Sequence, residues 1–168
     1  MEKYQEIAIE MIKESEGFSS ELYRCPAGKL TIGYGHNVEA NPLTNDQIKL
    51  LSTDGTITEE NATKLLLDVL PKYENGARRL VEFDGLDDVR RAVCIDMTYN
   101  LGEGGFGEFK NTRRFINDHD FNNAWKGLRA SRWFKQVGYR GIRNVAMMRD
   151  GEVYTYADIE HLRNSVAQ

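Results

Sequence analysis

A carboxyl, a thiol, a hydroxyl and an imidazole fall within one short run of the chain, at Glu16, Cys25, Thr31 and His36. Each has a distinct capacity. A glutamate gives or takes a proton, and at a helix C-terminus the negative end of the helix dipole favours its protonated form. A cysteine thiol with an ordinary pKa of about 8.5 is mostly neutral at neutral pH, so it becomes a base or nucleophile only where a cation such as Arg24 or Lys29 lowers that value. A threonine hydroxyl donates to and accepts from one water at once. A histidine can serve as acid or base near neutral pH, yet the place of His36 just beyond Gly33-Tyr34-Gly35 suits a structural hydrogen bond or ion pair better than proton transfer.

These residues need particular elements to hold them. Apolar residues at Tyr4, Ile7, Ala8, Met11 and Ile12 predict a helix over 2–16, which Gly17 ends, so Glu16 lies at its C-terminus. Short apolar runs from Glu21 to Val38, interrupted by Cys25-Pro26-Ala27-Gly28, predict a hairpin with Thr31 on a strand. Ser52 to Ile57 reads as a third short strand with a tight turn, and Thr58 as the N-cap of a long helix that Pro71 should kink or split. Beyond Leu80 the pattern is helical. It runs from Leu86 to Leu101, breaks at Gly102-Glu103-Gly104-Gly105, and continues through short helices capped by Asn111, Asp120 and Ser131. A last pair spans Tyr139 to Arg149 and Tyr156 to Asn164. The fold class is α+β: a β-rich lobe at about 18–57, a connecting helix at about 58–80, and a helical lobe at about 81–168 on which helix 2–16 packs.

The 168 residues are 40% hydrophobic and 29% charged, a composition of one compact domain rather than of a disordered or collagenous chain. No apolar run reaches the roughly 18 residues of a membrane span, and the N-terminal segment interleaves charges with apolar residues, so neither an anchor nor a signal peptide is expected. Two cysteines without CxxC spacing predict reduced thiols, with Cys94 between Val93 and Ile95 as core. The net charge of -4 hides an asymmetry, because residues 108–149 carry 10 Lys and Arg against 3 acidic residues. That stretch could steer a polyanion or merely solvate helix surfaces. It lacks any nucleic-acid-binding motif. Three histidines without HExxH give no zinc site, and Asp54-Gly55-Thr56-Ile57-Thr58-Glu59 lacks the alternating ligands of a calcium loop. No cofactor is expected.

The run from Glu16 to His36 resembles the signature of bacteriophage-type lysozymes, glycoside hydrolase family 24. In that signature a Glu is followed nine residues later by Asp or Cys and six later again by Thr, within an EG…Y…G…TIGYGH frame. Leu86-Asp87-Asp88-Val89-Arg90-Arg91-Ala92, Asn100-Leu101-Gly102 with Phe106, and Ser131-Arg132-Trp133 resemble further blocks in the family's order, so the likeness covers most of the chain. It implies a two-lobed lysozyme-like fold that hydrolyses the β-1,4 bond between N-acetylmuramic acid and N-acetylglucosamine, usually with inversion. Glu16 would be the general acid, and Cys25 and Thr31 would activate or position water. Cys25 departs from the commoner Asp and leaves three roles open: a thiolate base for water, a thiolate adding to the anomeric carbon, or a neutral thiol that orients water.

Arg140 matches the family's arginine near this Glu, and Asp68 its carboxylate partner for the histidine. Candidate sugar contacts are Tyr23, Tyr34, Asn100, Phe106 and Arg140, with Trp133 assigned to the core. The implied partners are peptidoglycan glycan strands, with no nucleic acid, no stable membrane association and a monomeric state. Synthesis in a host cytoplasm and release through a holin-type pore follow from the same likeness. The alternative is a catalytically weakened wall-binding module of the same fold, with Cys25 as the mark of decay.

Overall fold

The computed structural model describes residues 1–167 and divides into two compact units, Glu16–Pro71 and a second made of Met1–Ser15 with the chain from Lys72 onward. Helix α1, Lys3–Glu16, buries Tyr4, Ile7, Ala8, Ile9, Met11 and Ile12, the stripe its sequence spacing dictates. Gly17 stops it at φ +67°, a left-handed conformation that a side chain would resist.

The smaller unit is built on a three-stranded antiparallel sheet of order β1-β2-β3, with β1 at Ser19–Arg24, β2 at Leu30–Gly33 and β3 at His36–Asn37. Tyr23 pairs with Thr31 across β1 and β2, and Ile32 with His36 across β2 and β3. The hairpin between β1 and β2 closes as the turn residues require. The Gly28 amide donates to the Cys25 carbonyl at 2.7 Å, the Cys25 amide donates to the Lys29 carbonyl at 2.9 Å, and Gly28 takes φ +79°. After β3, Thr44 opens a short helix α2, Asn45–Ile48, with a reciprocal capping box to Gln47.

The expected strand at Ser52–Ile57 is a turn. The Ser52 amide donates to the Thr56 carbonyl at 2.8 Å, the Gly55 amide donates to Ser52, and the Asp54 carboxylate accepts from both the amide and hydroxyl of Thr56. Turn chemistry overrides the β-branched residues there, and one backbone bond, Ile57 to Ser20, joins the segment to the edge strand. The third strand is instead the two-residue β3.

Helix α3, Glu59–Leu80, begins in this unit, where the Thr58 hydroxyl accepts from the Asn61 amide at 3.1 Å. It runs through Pro71 as one helix, so the expected split does not occur. Pro71 is solvent-facing, where the carbonyl freed by its missing N–H can reach water. Ile32, Ile57, Ala62 and Leu65 form the core of the small unit, fringed by Phe18, Tyr34, Val38, Leu43, Leu50, Leu51 and Val69.

The larger unit is helical. Asp87 caps α4, Asp88–Gly107, and Gly102 alone (φ +75°, ψ 163°) interrupts it, a narrower break than the glycine-rich run suggests. Helix α5, Lys110–Asn117, contains Asn111 rather than starting from it, and its N-cap Phe109 supplies no side-chain bond. Asp120 caps α6, Phe121–Arg129, and Ser131 caps α7, Arg132–Val137, as the sequence predicts. Helix α8, Tyr139–Asp150, ends at Gly151 in the left-handed region, and Thr155 caps a 3₁₀ turn leading into α9, Ile159–Val166. Helix α8 is central, packing against α4, α6, α7 and α9 with Val145, Ala146, Met147 and Met148 fully enclosed. Among the described residues no helix is long and apolar enough to cross a membrane.

Candidate active site

The Glu16–Pro71 unit contains Glu16, Cys25 and Thr31 together with Tyr23 and Tyr34. Glu16 is the last residue of α1, and its carboxyl lies against the backbone of the turn that joins β2 to β3. A side chain built at Gly35 would place its Cβ 2.5 Å from Glu16 Oε2, 2.7 Å from Cδ and 2.9 Å from Cγ. The carboxyl therefore occupies the room that any other residue 35 would need, and Gly35, at φ +72°, is where both the turn and the close approach demand glycine.

Thr31 sits in the middle of β2. Strand alternation sends Ile32 into the core with Ala62 and Leu65 and leaves Thr31 on the opposite face. Its residue is 5% exposed, and its hydroxyl donates to the Tyr23 carbonyl at 3.2 Å, so the oxygen lone pairs remain as acceptors. Cys25 follows β1 directly, half-buried at the first corner of the hairpin turn, with its backbone tied to Gly28 and Lys29. The neighbouring Arg24 reaches the Gly28 carbonyl at 2.9 Å and Glu39 at 3.2 Å.

Tyr23 is 37% exposed, opposite Thr31 on the edge strand. Tyr34 is half-buried, its ring 5.7 Å from that of Phe18, and so helps build the small core. His36 is buried, and its Nε2 lies 2.9 Å from the Asn41 carbonyl oxygen. Asp68, the carboxylate matched to it by resemblance, accepts from Gln47 Nε2 at 2.6 Å.

Asn100, Phe106 and Arg140 belong to the helical unit. Phe106 is 1% exposed and set edge-on to Phe109, so its ring is core and offers no face to a sugar. The Asn100 side-chain oxygen accepts from the Trp133 indole at 2.7 Å, and Trp133 is buried as expected. Arg140 is buried and forms a two-pronged pair with Asp96, Nε to Oδ2 at 3.0 Å and Nη2 to Oδ1 at 2.8 Å. Arg143, fully enclosed, reaches the same carboxylate at 3.3 Å and Glu14 at 3.0 Å, and Asn144 donates to Asp96 at 2.7 Å. Burial is the largest influence on the Asp96 carboxyl and pushes its pKa up. The charges and hydrogen bonds of Arg140, Arg143 and Asn144 together outweigh it and hold the group below the usual Asp value.

Residues 13–149 match the phage lysozyme family. The chain belongs to that family. It is similar to "Probable T4-type lysozyme 2" of Dictyostelium discoideum, at 24% identity over 88% of this chain and 96% of the relative. "Probable T4-type lysozyme 1" of the same organism matches at the same identity and coverage. The pre-baseplate central spike protein Gp5 of Enterobacteria phage T4 is 24% identical over 88% of this chain, which spans 28% of that longer protein. The protein is thus a lysozyme-type glycoside hydrolase whose substrate class is peptidoglycan.

Within this phage lysozyme, two features of the structure were not anticipated from the sequence. Asp96 left a signal, a charged residue between Ile95 and Met97 on an apolar helix, opposite arginines three apart at 140 and 143. Gly35 left only its place in a turn.

Proposed function

We propose that this phage lysozyme cleaves the β-1,4 bond between N-acetylmuramic acid and N-acetylglucosamine, with Glu16 as general acid and Cys25 and Thr31 activating and orienting the attacking water. The observation that carries this reading is the fit of the Glu16 carboxyl against Gly35, in the turn directly after the strand that bears Thr31. An acid must be held at one place to protonate a leaving oxygen, and a glycine backbone makes a firm wall.

The steps balance through these groups. Glu16 passes its proton to the glycosidic oxygen and becomes a carboxylate, while water adds to the anomeric carbon. Thr31, its own proton directed to the Tyr23 carbonyl, accepts a hydrogen bond from that water and fixes its orientation. Cys25, as thiolate, takes the water's second proton. Attack from the face opposite the leaving group inverts the anomeric carbon. A thiolate that added to the sugar would instead retain configuration, so product stereochemistry separates the two roles of Cys25.

Clearing of purified peptidoglycan by the wild type, Glu16→Gln, Cys25→Ala and Cys25→Asp tests the assignment. Glu16→Gln is expected to lose about 10²–10⁴-fold in rate, Cys25→Ala to fail and Cys25→Asp to stay active. Clearing by Glu16→Gln at the wild-type rate overturns the acid. Cys25→Ala that clears normally reduces Cys25 to a turn residue.

Alkylation adds a direct probe, because the two thiols differ in burial. Cys94 is fully enclosed and its thiol is pushed up to about 12, chiefly by burial and further by the Asp87 charge. Iodoacetamide on the native protein should therefore modify one thiol, Cys25, and stop turnover. A wild type that sediments with the wall without clearing it would instead be a binding module of the same fold.

A further inference from the structure

We infer that Gly35 is a positioning residue for the reaction, because its missing side chain creates the seat of the Glu16 carboxyl. The inference rests on Glu16 being the general acid. Three consecutive atoms of Glu16 lie between 2.5 and 2.9 Å from where a Cβ at residue 35 would stand, all closer than non-bonded carbon contacts allow. No other positive-φ glycine of this unit is crowded in that way. Gly17, Gly28 and Gly55 have open space at the same position, and Gly33 meets only Ala62, its Cβ at 3.4 Å and its Cα at 3.9 Å.

What must yield is decisive. Gly35 is fixed in a three-residue turn by the Ile32–His36 pairing, and Ile32 is locked in the core. The crowding atoms, by contrast, are the far end of a side chain that can rotate. A methyl at residue 35 therefore pushes the carboxyl away and leaves the fold in place. A displacement of about 1 Å at an acid that must meet a glycosidic oxygen costs on the order of 100-fold in rate. Gly35 thus controls where the proton is delivered, not whether the protein folds or holds its substrate.

Alanine in the left-handed region is strained wherever it stands, so the strain needs its own control. Gly55, at φ +84° with nothing within 4 Å of its Cβ position, supplies it in the same unit and outside the candidate site. The experiment compares Gly35→Ala, Gly55→Ala, Glu16→Gln, Glu16→Asp and the double variant Glu16→Asp/Gly35→Ala by thermal melting. Initial clearing rates are measured for each across wall concentrations.

Both glycine variants should melt within a few degrees of each other. Gly35→Ala should lose about 100-fold or more in kcat with KM within about threefold, while Gly55→Ala keeps kcat. In the Glu16→Asp background, where the carboxyl is one methylene shorter and withdrawn from the crowded position, Gly35→Ala should cost at least tenfold less than in the wild type. A Gly35→Ala kcat within threefold of wild type overturns the inference. So does a loss that appears in KM alone, one matched by Gly55→Ala, or one unchanged in the Glu16→Asp background. Full clearing by Glu16→Gln would instead fail the acid assignment itself, whatever Gly35→Ala does.

Discussion

The two units hold themselves together by different means. In Glu16–Pro71 six apolar side chains are buried, four of them as one cluster, and shape comes from turns and local side-chain bonds: Asp54 to Thr56, Asn37 to the amides of Glu39 and Ala40, and the Thr44–Gln47 capping box. In the helical unit a long list of apolar residues is enclosed, and charges are enclosed with them, around Asp96, Arg140 and Arg143. The unit with the candidate chemistry is therefore defined by backbone geometry, which places a carboxyl against a glycine and a hydroxyl against a carbonyl. The other is defined by packing density and one buried ion cluster. Functional sites draw on segments with fewer buried apolar contacts, and the division of labour here follows that rule.

The sharpest break of this contrast removes charge from the enclosed cluster. Asp96→Asn leaves two buried guanidinium groups facing a neutral amide and should cost about 3–5 kcal/mol, measured by urea unfolding. In the small unit the Asp46–Lys49 pair is equally well formed, at 3.0 Å, but its carboxylate is 92% exposed. Asp46→Asn should leave the unfolding midpoint where it is, because solvent already screens that pair.

The small core gives the next effect. Leu65→Ala should cost about 2–5 kcal/mol, the usual range for an enclosed leucine. Both tryptophans, Trp125 and Trp133, are in the helical unit, so their fluorescence follows that unit while clearing activity follows the candidate site. The urea midpoint for loss of activity in Leu65→Ala should fall below the midpoint read from fluorescence. Coincident midpoints would show that the units unfold as one.

Much of this was legible in the sequence, and the exceptions have physical causes. The α1 stripe, the Gly17 stop, the hairpin turn and the Thr58, Asp120 and Ser131 caps follow from local rules, in which residue type and position fix one hydrogen bond or one dihedral angle. Ser52–Ile57 failed because its β-branched residues are outvoted by an aspartate that satisfies Thr56 twice. Phe106 was a candidate sugar contact as an aromatic side chain, but residue type does not report burial, and the surrounding helices enclose it. The Asp96 cluster joins residues 44 to 48 positions apart, a spacing that no local pattern encodes. Gly35 is the subtlest case, since its turn was visible but the carboxyl filling its empty side was not.

Acid titration extends the contrast between the units. The Asp96 carboxyl in the folded protein sits below its unfolded value, so the stability it contributes is fully present above that value, about pH 4. It is lost as pH falls through the folded value. Unfolding free energy should decline below about pH 4 in the wild type and more shallowly in Asp96→Asn, which has no carboxyl there to protonate. Parallel acid limbs in the two proteins would assign the decline to other groups.

The smallest expected effect lies where the small unit begins its long helix. The Thr58 hydroxyl accepts from the Asn61 amide, one of the donors that α3 leaves unsatisfied at its start, and Ala62 and Leu65 of the small core stand one and two turns further along. Thr58→Ala should cost about 1 kcal/mol, the ordinary worth of an N-cap, and Thr58→Ser should restore most of it, because serine supplies the same acceptor. Because that helix start carries core residues of the unit that contains Glu16, the activity midpoint in urea should shift while tryptophan fluorescence barely moves. An equal shift in both signals would mean that α3 transmits the loss of its first turn along its full length, making the helix, rather than either core, the element that sets cooperativity between the two units.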